Sequence, residues 1–179
     1  MHLWVLGLLP IFTTSPLTAS KSWYLTSFAG VGLAPFMGSE DPRTFGSIGI
    51  AFARPERRLR SRQYRAELVL EGYYERSTSP GIYENLPNGT DAVGVLAMAR
   101  YRHKSMFVDI GWGFQYTDQR TVDVSGRLSS TPNATIGVVT RAFDRELLIG
   151  LRYVHISNAG LSGNNQGSNR LGLFGAMRY

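Results

Sequence analysis

From Trp23 onward the chain alternates apolar and polar residues in segments of about ten, separated by polar breaks that carry Gly or Pro. A period of two is the signature of β-strands, whose side chains point to opposite faces in turn. Eight such segments can be counted, at about 23–34, 44–54, 63–75, 92–102, 106–117, 133–143, 146–158 and 168–179. The fifth is the clearest. Met106, Val108, Ile110, Trp112, Phe114 and Tyr116 share one face, and Asp109, Gly111, Gly113, Gln115 and Thr117 share the other. In the third, Tyr64, Ala66, Leu68, Leu70 and Tyr74 oppose Arg65, Glu67, Val69, Glu71 and Glu75. Long helical patterns are missing, so the fold class is all-β.

Two architectures fit this alternation. A soluble β-barrel of the lipocalin kind turns its apolar faces inward and would leave Arg65, Glu67, Glu71, Arg152 and Arg170 in outside solvent. A transmembrane barrel does the reverse, with lipid outside and charges in the lumen. Segments of roughly 9–11 residues are what a tilted strand needs to cross the hydrocarbon layer, and eight is the smallest usual strand number. The N-terminus favours export: an apolar run from Leu3 to Phe12 precedes small and polar residues up to Ser20, which reads as a signal peptide over 1–20. The last segment places Leu171, Leu173, Met177 and the terminal Tyr179 on one face, and resembles the C-terminal signature of bacterial outer-membrane proteins. The prediction is an eight-stranded antiparallel transmembrane β-barrel over 21–179, in the bacterial outer membrane. Its lumen should be filled by side chains rather than open as a pore.

Composition adds little to this. A chain of 179 residues is one domain, and with no cysteine it has neither disulfides nor thiolate metal sites. The net charge of +6 suits anionic outer-membrane lipids, and no motif or aromatic-basic platform points to nucleic acid. The basic run from Arg54 to Arg62 reads as a solvated turn on the periplasmic side. The sequons Asn88-Gly89-Thr90 and Asn133-Ala134-Thr135 read as ordinary loop residues. Short breaks follow segments four and six, and longer ones follow three, five and seven. Outer-membrane barrels keep short turns in the periplasm and long loops outside. The seventh segment therefore runs outward and ends in the lipopolysaccharide leaflet.

That outer end carries the candidate chemistry. His155 and Ser157 share a strand face with Leu147, Ile149, Leu151 and Tyr153, while Arg152 lies on the opposite face. An arginine facing lipid costs about 2–4 kcal/mol near the midplane. Arg152 is therefore expected in the lumen, which turns His155, Ser157 and the apolar stripe toward lipid. The stripe, Ile149 included, then lies against hydrocarbon. Asn169, facing outward with Leu171 and Leu173 on the antiparallel neighbour, should then lie near both residues. A serine nucleophile needs a base, something to orient that base, and donors for the developing oxyanion. His155 can be the base and Asn169 its orienter, and the Asn158 amide and Gly160 N–H can be the donors. A bare His-x-Ser is an ordinary rim pair; these neighbours are what raise it.

With His155-Ile156-Ser157-Asn158-Ala159-Gly160 on the penultimate strand and an Asn-x-Gly loop at Asn165 and Gly167, the chain resembles the PagL outer-membrane lipid A 3-O-deacylases. The resemblance implies an eight-stranded barrel that hydrolyses the ester-linked acyl chain at the 3-position of lipid A. It also implies a serine–histidine mechanism without a metal or soluble cofactor, with Asn165 and Gly167 in a supporting loop and the stripe that includes Ile149 as the groove for the acyl chain. One position departs. The family pattern has a glutamate fourteen residues after the histidine, where this chain has Asn169. An amide can orient an imidazole but cannot stabilise imidazolium by charge, so Asn169→Glu is expected to keep or raise turnover. The competing reading is a small structural or adhesive barrel, OmpA- or OmpX-like. A homodimer is compatible with either.

Overall fold

The computed structural model describes residues 21–37, 39–40, 42–56, 64–80, 88–158, 160, 163 and 165–179. Its strands are β1 (Ser22–Gly32), β2 (Thr44–Glu56), β3 (Tyr64–Thr78), β4 (Gly89–His103), β5 (Met106–Thr117), β6 (Leu128–Ser130), β7 (Asn133–Ala142), β8 (Arg145–Ile156) and β9 (Ser168–Arg178). All pairings are antiparallel, and β1 pairs with β9, which closes the sheet and leaves no edge. The predicted signal segment and the basic residues from Arg57 to Arg62 lie outside the described residues.

Nine strands make an eight-stranded barrel because β6 and β7 are one strand interrupted once. Against β5 the pairs Phe114↔Ser130 and Gly111↔Asn133 keep a single register, and so do Ser130↔Ser157 and Asn133↔Val154 against β8. The break falls at Pro132, which has no N–H to give to the ladder. The sixth strand thus starts at Leu128 rather than near 133, and Asn133-Ala134-Thr135 is strand rather than loop.

Two-residue turns join β4 to β5 through Lys104-Ser105 and β7 to β8 through Phe143-Asp144. Lys104, Phe143 and Asp144 have φ of 52°, 51° and 59°, the left-handed geometry that matches strand twist in tight hairpins. The strand ends joined by the longer connections, 33–43, 79–88, 118–127 and 157–167, all lie at the opposite end.

The barrel is apolar outside and charged inside. Ile110, Trp112, Phe114 and Leu173 each expose more than half of their surface, whereas Asp109, Glu71, Arg100 and Arg152 are buried. A soluble barrel with an apolar interior is excluded, since this exterior suits hydrocarbon and not water.

Inside, β3 places Glu67, Glu71 and Glu75 four residues apart on one inward face. Each meets an arginine from a different strand: Arg102 at 3.2 Å, Arg152 at 2.9 Å, and Arg170 in direct contact. Arg152 grips Glu71 through both terminal nitrogens and bonds Thr135 Oγ1 through Nε at 3.1 Å. Its guanidinium also lies 3.9 Å from the Phe174 ring centroid. Arg100 makes a second two-pronged pair with Asp109, at 2.7 and 2.8 Å. Gly137, opposite Gly150, leaves room for Phe107, whose ring would be 2.6 Å from an added Cβ. The cavity beneath the loops, lined by Glu75, Gln115, Ile156 and Arg170 among others, measures ≈ 10 Å³. That is at most one water, so side chains fill the lumen here.

Removing one partner of a buried pair leaves an uncompensated charge, at a cost of about 3–5 kcal/mol. Glu71→Ala should destabilise the barrel by that amount in urea titration of the detergent-folded protein. A loss below about 1 kcal/mol would show that the Arg152 pair does not hold the lumen together.

Candidate active site

The inward commitment of Arg152, Val154 and Ile156, all buried, turns Tyr153, His155 and Ser157 to the outer face of β8 at its loop end. Leu151 and Ile149 continue this face toward the barrel waist, half exposed, as the apolar stripe predicted from the sequence. Across the β8–β9 ladder, His155 pairs directly with Asn169.

Asn169 shares the outward register of Leu171 and Leu173 yet has no exposed surface. Tyr153 and His155 bond it from one side, and Leu33 and Phe36 from the other. Its Nδ2 donates to the Phe36 carbonyl at 2.9 Å. Its Oδ1 receives the Tyr153 hydroxyl at 2.5 Å and lies 2.8 Å from His155 Nδ1. These contacts fix the protons. A backbone carbonyl only accepts, so Nδ2 must face Phe36 and Oδ1 must face the imidazole. An amide oxygen also only accepts, so Nδ1 carries the hydrogen, and in neutral imidazole Nε2 keeps the lone pair.

Gly167 backs the ring from the other side. Its φ is +80°, and an added Cβ would lie 2.5 Å from His155 Cε1. Glycine is required there twice over, for backbone conformation and for space. The Gly167 N–H in turn donates to the Asp123 carbonyl at 3.2 Å. The Asp123 carboxylate, fully buried, accepts from Ser39 Oγ and from the Glu40 N–H, each at 2.8 Å. One aspartate thus joins three connections above the site.

Ser157 is held by Ser130. Their backbones exchange N–H···O bonds of 2.7 and 3.1 Å, and Ser130 Oγ lies 3.1 Å from the Ser157 carbonyl and 3.3 Å from Ser157 Oγ. No hydrogen bond joins Ser157 to His155; the hydroxyl is two residues along the same face and turned toward Ser130. Asn158 donates its N–H to Asn165 Oδ1 at 2.9 Å, and its own Oδ1 receives the Gly160 N–H at 2.9 Å. Both oxyanion donors expected from the sequence therefore lie together, but the Gly160 N–H is engaged by Asn158 rather than open. Among the described residues no group of three or more His, Asp or Glu could hold a metal ion.

Sequence reasoning brought His155, Asn169, Ser157, Asn158, Gly160, Asn165 and Gly167 into one neighbourhood, and the structure gathers them. It missed Ser130, Asp123 and the Phe36 carbonyl, and it read Tyr153 only as part of the apolar stripe.

The closed sheet with its apolar exterior and charged lumen defines an eight-stranded outer-membrane β-barrel. A family model described as lipid A 3-O-deacylase (PagL) matches residues 2–178. The chain belongs to that family, whose members are hydrolases. No curated protein matches the sequence significantly. Among solved structures, the crystal structure of the outer membrane enzyme PagL is similar, with a TM-score of 0.67 and 15% identity over 86% of this chain and 97% of that chain. At that identity the likeness bears on the fold alone.

Gly167→Ala should push the His155 ring away from Asn169. The imidazole resonances of His155 are expected to shift in NMR spectra of the micelle-bound protein while strand amide shifts persist. Unchanged imidazole resonances would contradict the packing described.

Proposed function

We propose that the chain removes the 3-position ester-linked acyl chain from lipid A, with Ser157 as nucleophile and His155 as general base. The observation that carries this reading is the His155 Nδ1–Asn169 Oδ1 contact of 2.8 Å, which leaves the Nε2 lone pair on the same strand face as the Ser157 hydroxyl. In this mechanism the Ser157 hydroxyl turns from Ser130 toward Nε2 when substrate binds. Catalytic hydrogen bonds are often absent or long until substrate is bound.

In this reading the acyl chain lies along Leu151 and Ile149, in the lipid phase it already occupies. Ser157 Oγ attacks the ester carbonyl carbon while His155 Nε2 takes its proton. The tetrahedral oxyanion takes the place of Asn158 Oδ1 as acceptor for the Gly160 N–H, and the Asn158 amide nitrogen turns toward it. Collapse breaks the bond to the sugar oxygen, which receives the proton from His155. Water, deprotonated by the same nitrogen, then releases the chain from Ser157 as a 3-hydroxy fatty acid. The long-loop end faces the outer leaflet, where lipid A resides. Asn165, through the Asn158 N–H, and Gly167, against the imidazole, are the supporting loop.

Lipid A incubated with detergent-purified protein should lose one ester-linked 3-hydroxyacyl mass, and the same incubation with Ser157→Ala should leave it intact. Heat-modified gel migration should be equal for the two. Equal release by both proteins would remove Ser157 from the chemistry, and no release by either folded barrel would favour a structural role.

A further inference from the structure

We propose that Tyr153 is a positioning residue for the base, and that with the Phe36 carbonyl it builds the third position of the site specifically for an amide. The inference rests on the deacylase reading for its kinetic arm only.

Asn169 Oδ1 has two lone pairs and meets two donors, the Tyr153 hydroxyl at 2.5 Å and the His155 ring at 2.8 Å. Nδ2 meets a pure acceptor, the Phe36 carbonyl, at 2.9 Å. That carbonyl is itself held, because it also accepts the Ser39 N–H at 3.1 Å, and the Asn169 carbonyl receives the Leu33 N–H at 2.7 Å. The carboxamide is therefore pinned at both ends in a place without solvent, in one of its two flip states. Turning it over would set Oδ1 against the Phe36 oxygen with no proton between them, and would force Tyr153 and His155 from donors into acceptors. Tyr153 supplies the one bond in this set whose only evident function is to hold Oδ1, since its hydroxyl sits at the rim while its ring continues the apolar stripe.

A carboxylate fits this surrounding poorly. An aspartate side chain in place of Asn169 would be isosteric, yet its second oxygen would face the Phe36 oxygen at the distance Nδ2 now occupies, with no proton between them. Glutamate is one methylene longer in a site that has no exposed surface to yield. The expectation that Asn169→Glu keeps or raises turnover is accordingly reversed: this pocket recognises an amide, and the missing charge is offset by rigid orientation rather than replaced.

Two variants and two readouts test the proposal. In Tyr153→Phe the ring persists, so KM should stay within about twofold while kcat falls about tenfold. Histidine 15N shifts, recorded in micelles, should show wild-type His155 as the Nδ1–H tautomer and Tyr153→Phe as a mixture. Asn169→Asp should lower kcat as well. Unchanged kcat and an unchanged tautomer in Tyr153→Phe, or a raised kcat in Asn169→Asp, would overturn the proposal. A wild type inactive on lipid A, whose fixed tautomer Tyr153→Phe nevertheless releases, would support the positioning role and count against the deacylase reading.

Discussion

The pairing of Arg152 with Glu71 is the constraint on which the placement of the site depends. β8 alternates strictly, so a slip of one residue would send every side chain to the opposite face. Arg152 removes that freedom. Facing hydrocarbon it would lack a partner, and facing the lumen it finds a carboxylate through two bonds, a threonine hydroxyl and an aromatic ring. Once Arg152 is inside, His155 and Ser157 must be outside. The chemistry of the outer wall is in this sense decided in the lumen, by a residue that touches none of it.

A second layer of order comes from the loop end. Strand alternation brings His155 to the wall but does not set its ring. That is done by Asn169 from the adjacent strand, by Gly167 from the 157–167 connection, and by Phe36 from the 33–43 connection. Asp123, from a third connection, ties the other two together. On the proposed reading, the acyl chain is met on an open outer wall, and the residues Phe36, Asp123 and Gly167 that hold the His155–Asn169 pair take the part that pocket walls play in a soluble enzyme.

The barrel was legible in the sequence because lipid and lumen impose opposite requirements on alternate residues. Met106 to Thr117 shows both requirements in a single segment. Pro132 hid the start of the sixth strand: a proline argues for a loop, and only the ladder shows that the register passes through it unchanged. The grouping of the candidate residues was legible where it is local or directly cross-strand, as for Ser157 beside His155 and for Asn169 opposite it. Tyr153 was visible as a residue and not as a donor, because a tyrosine on an apolar stripe looks like an interfacial aromatic. Ser130 and Asp123 gave no signal, since each acts through contacts to residues at least 27 positions away. The Phe36 carbonyl is backbone, and composition cannot announce it.

The proposed chemistry requires that Ser157 be activated in the folded barrel. The most direct measurement is labelling of the detergent-folded protein with a long-chain alkyl fluorophosphonate, followed by peptide mass spectrometry. One adduct is expected, on Ser157, lost when the protein is unfolded or in His155→Ala. An unlabelled Ser157 in a folded, lipid-A-deacylating barrel, or an adduct confined to another serine, would contradict it.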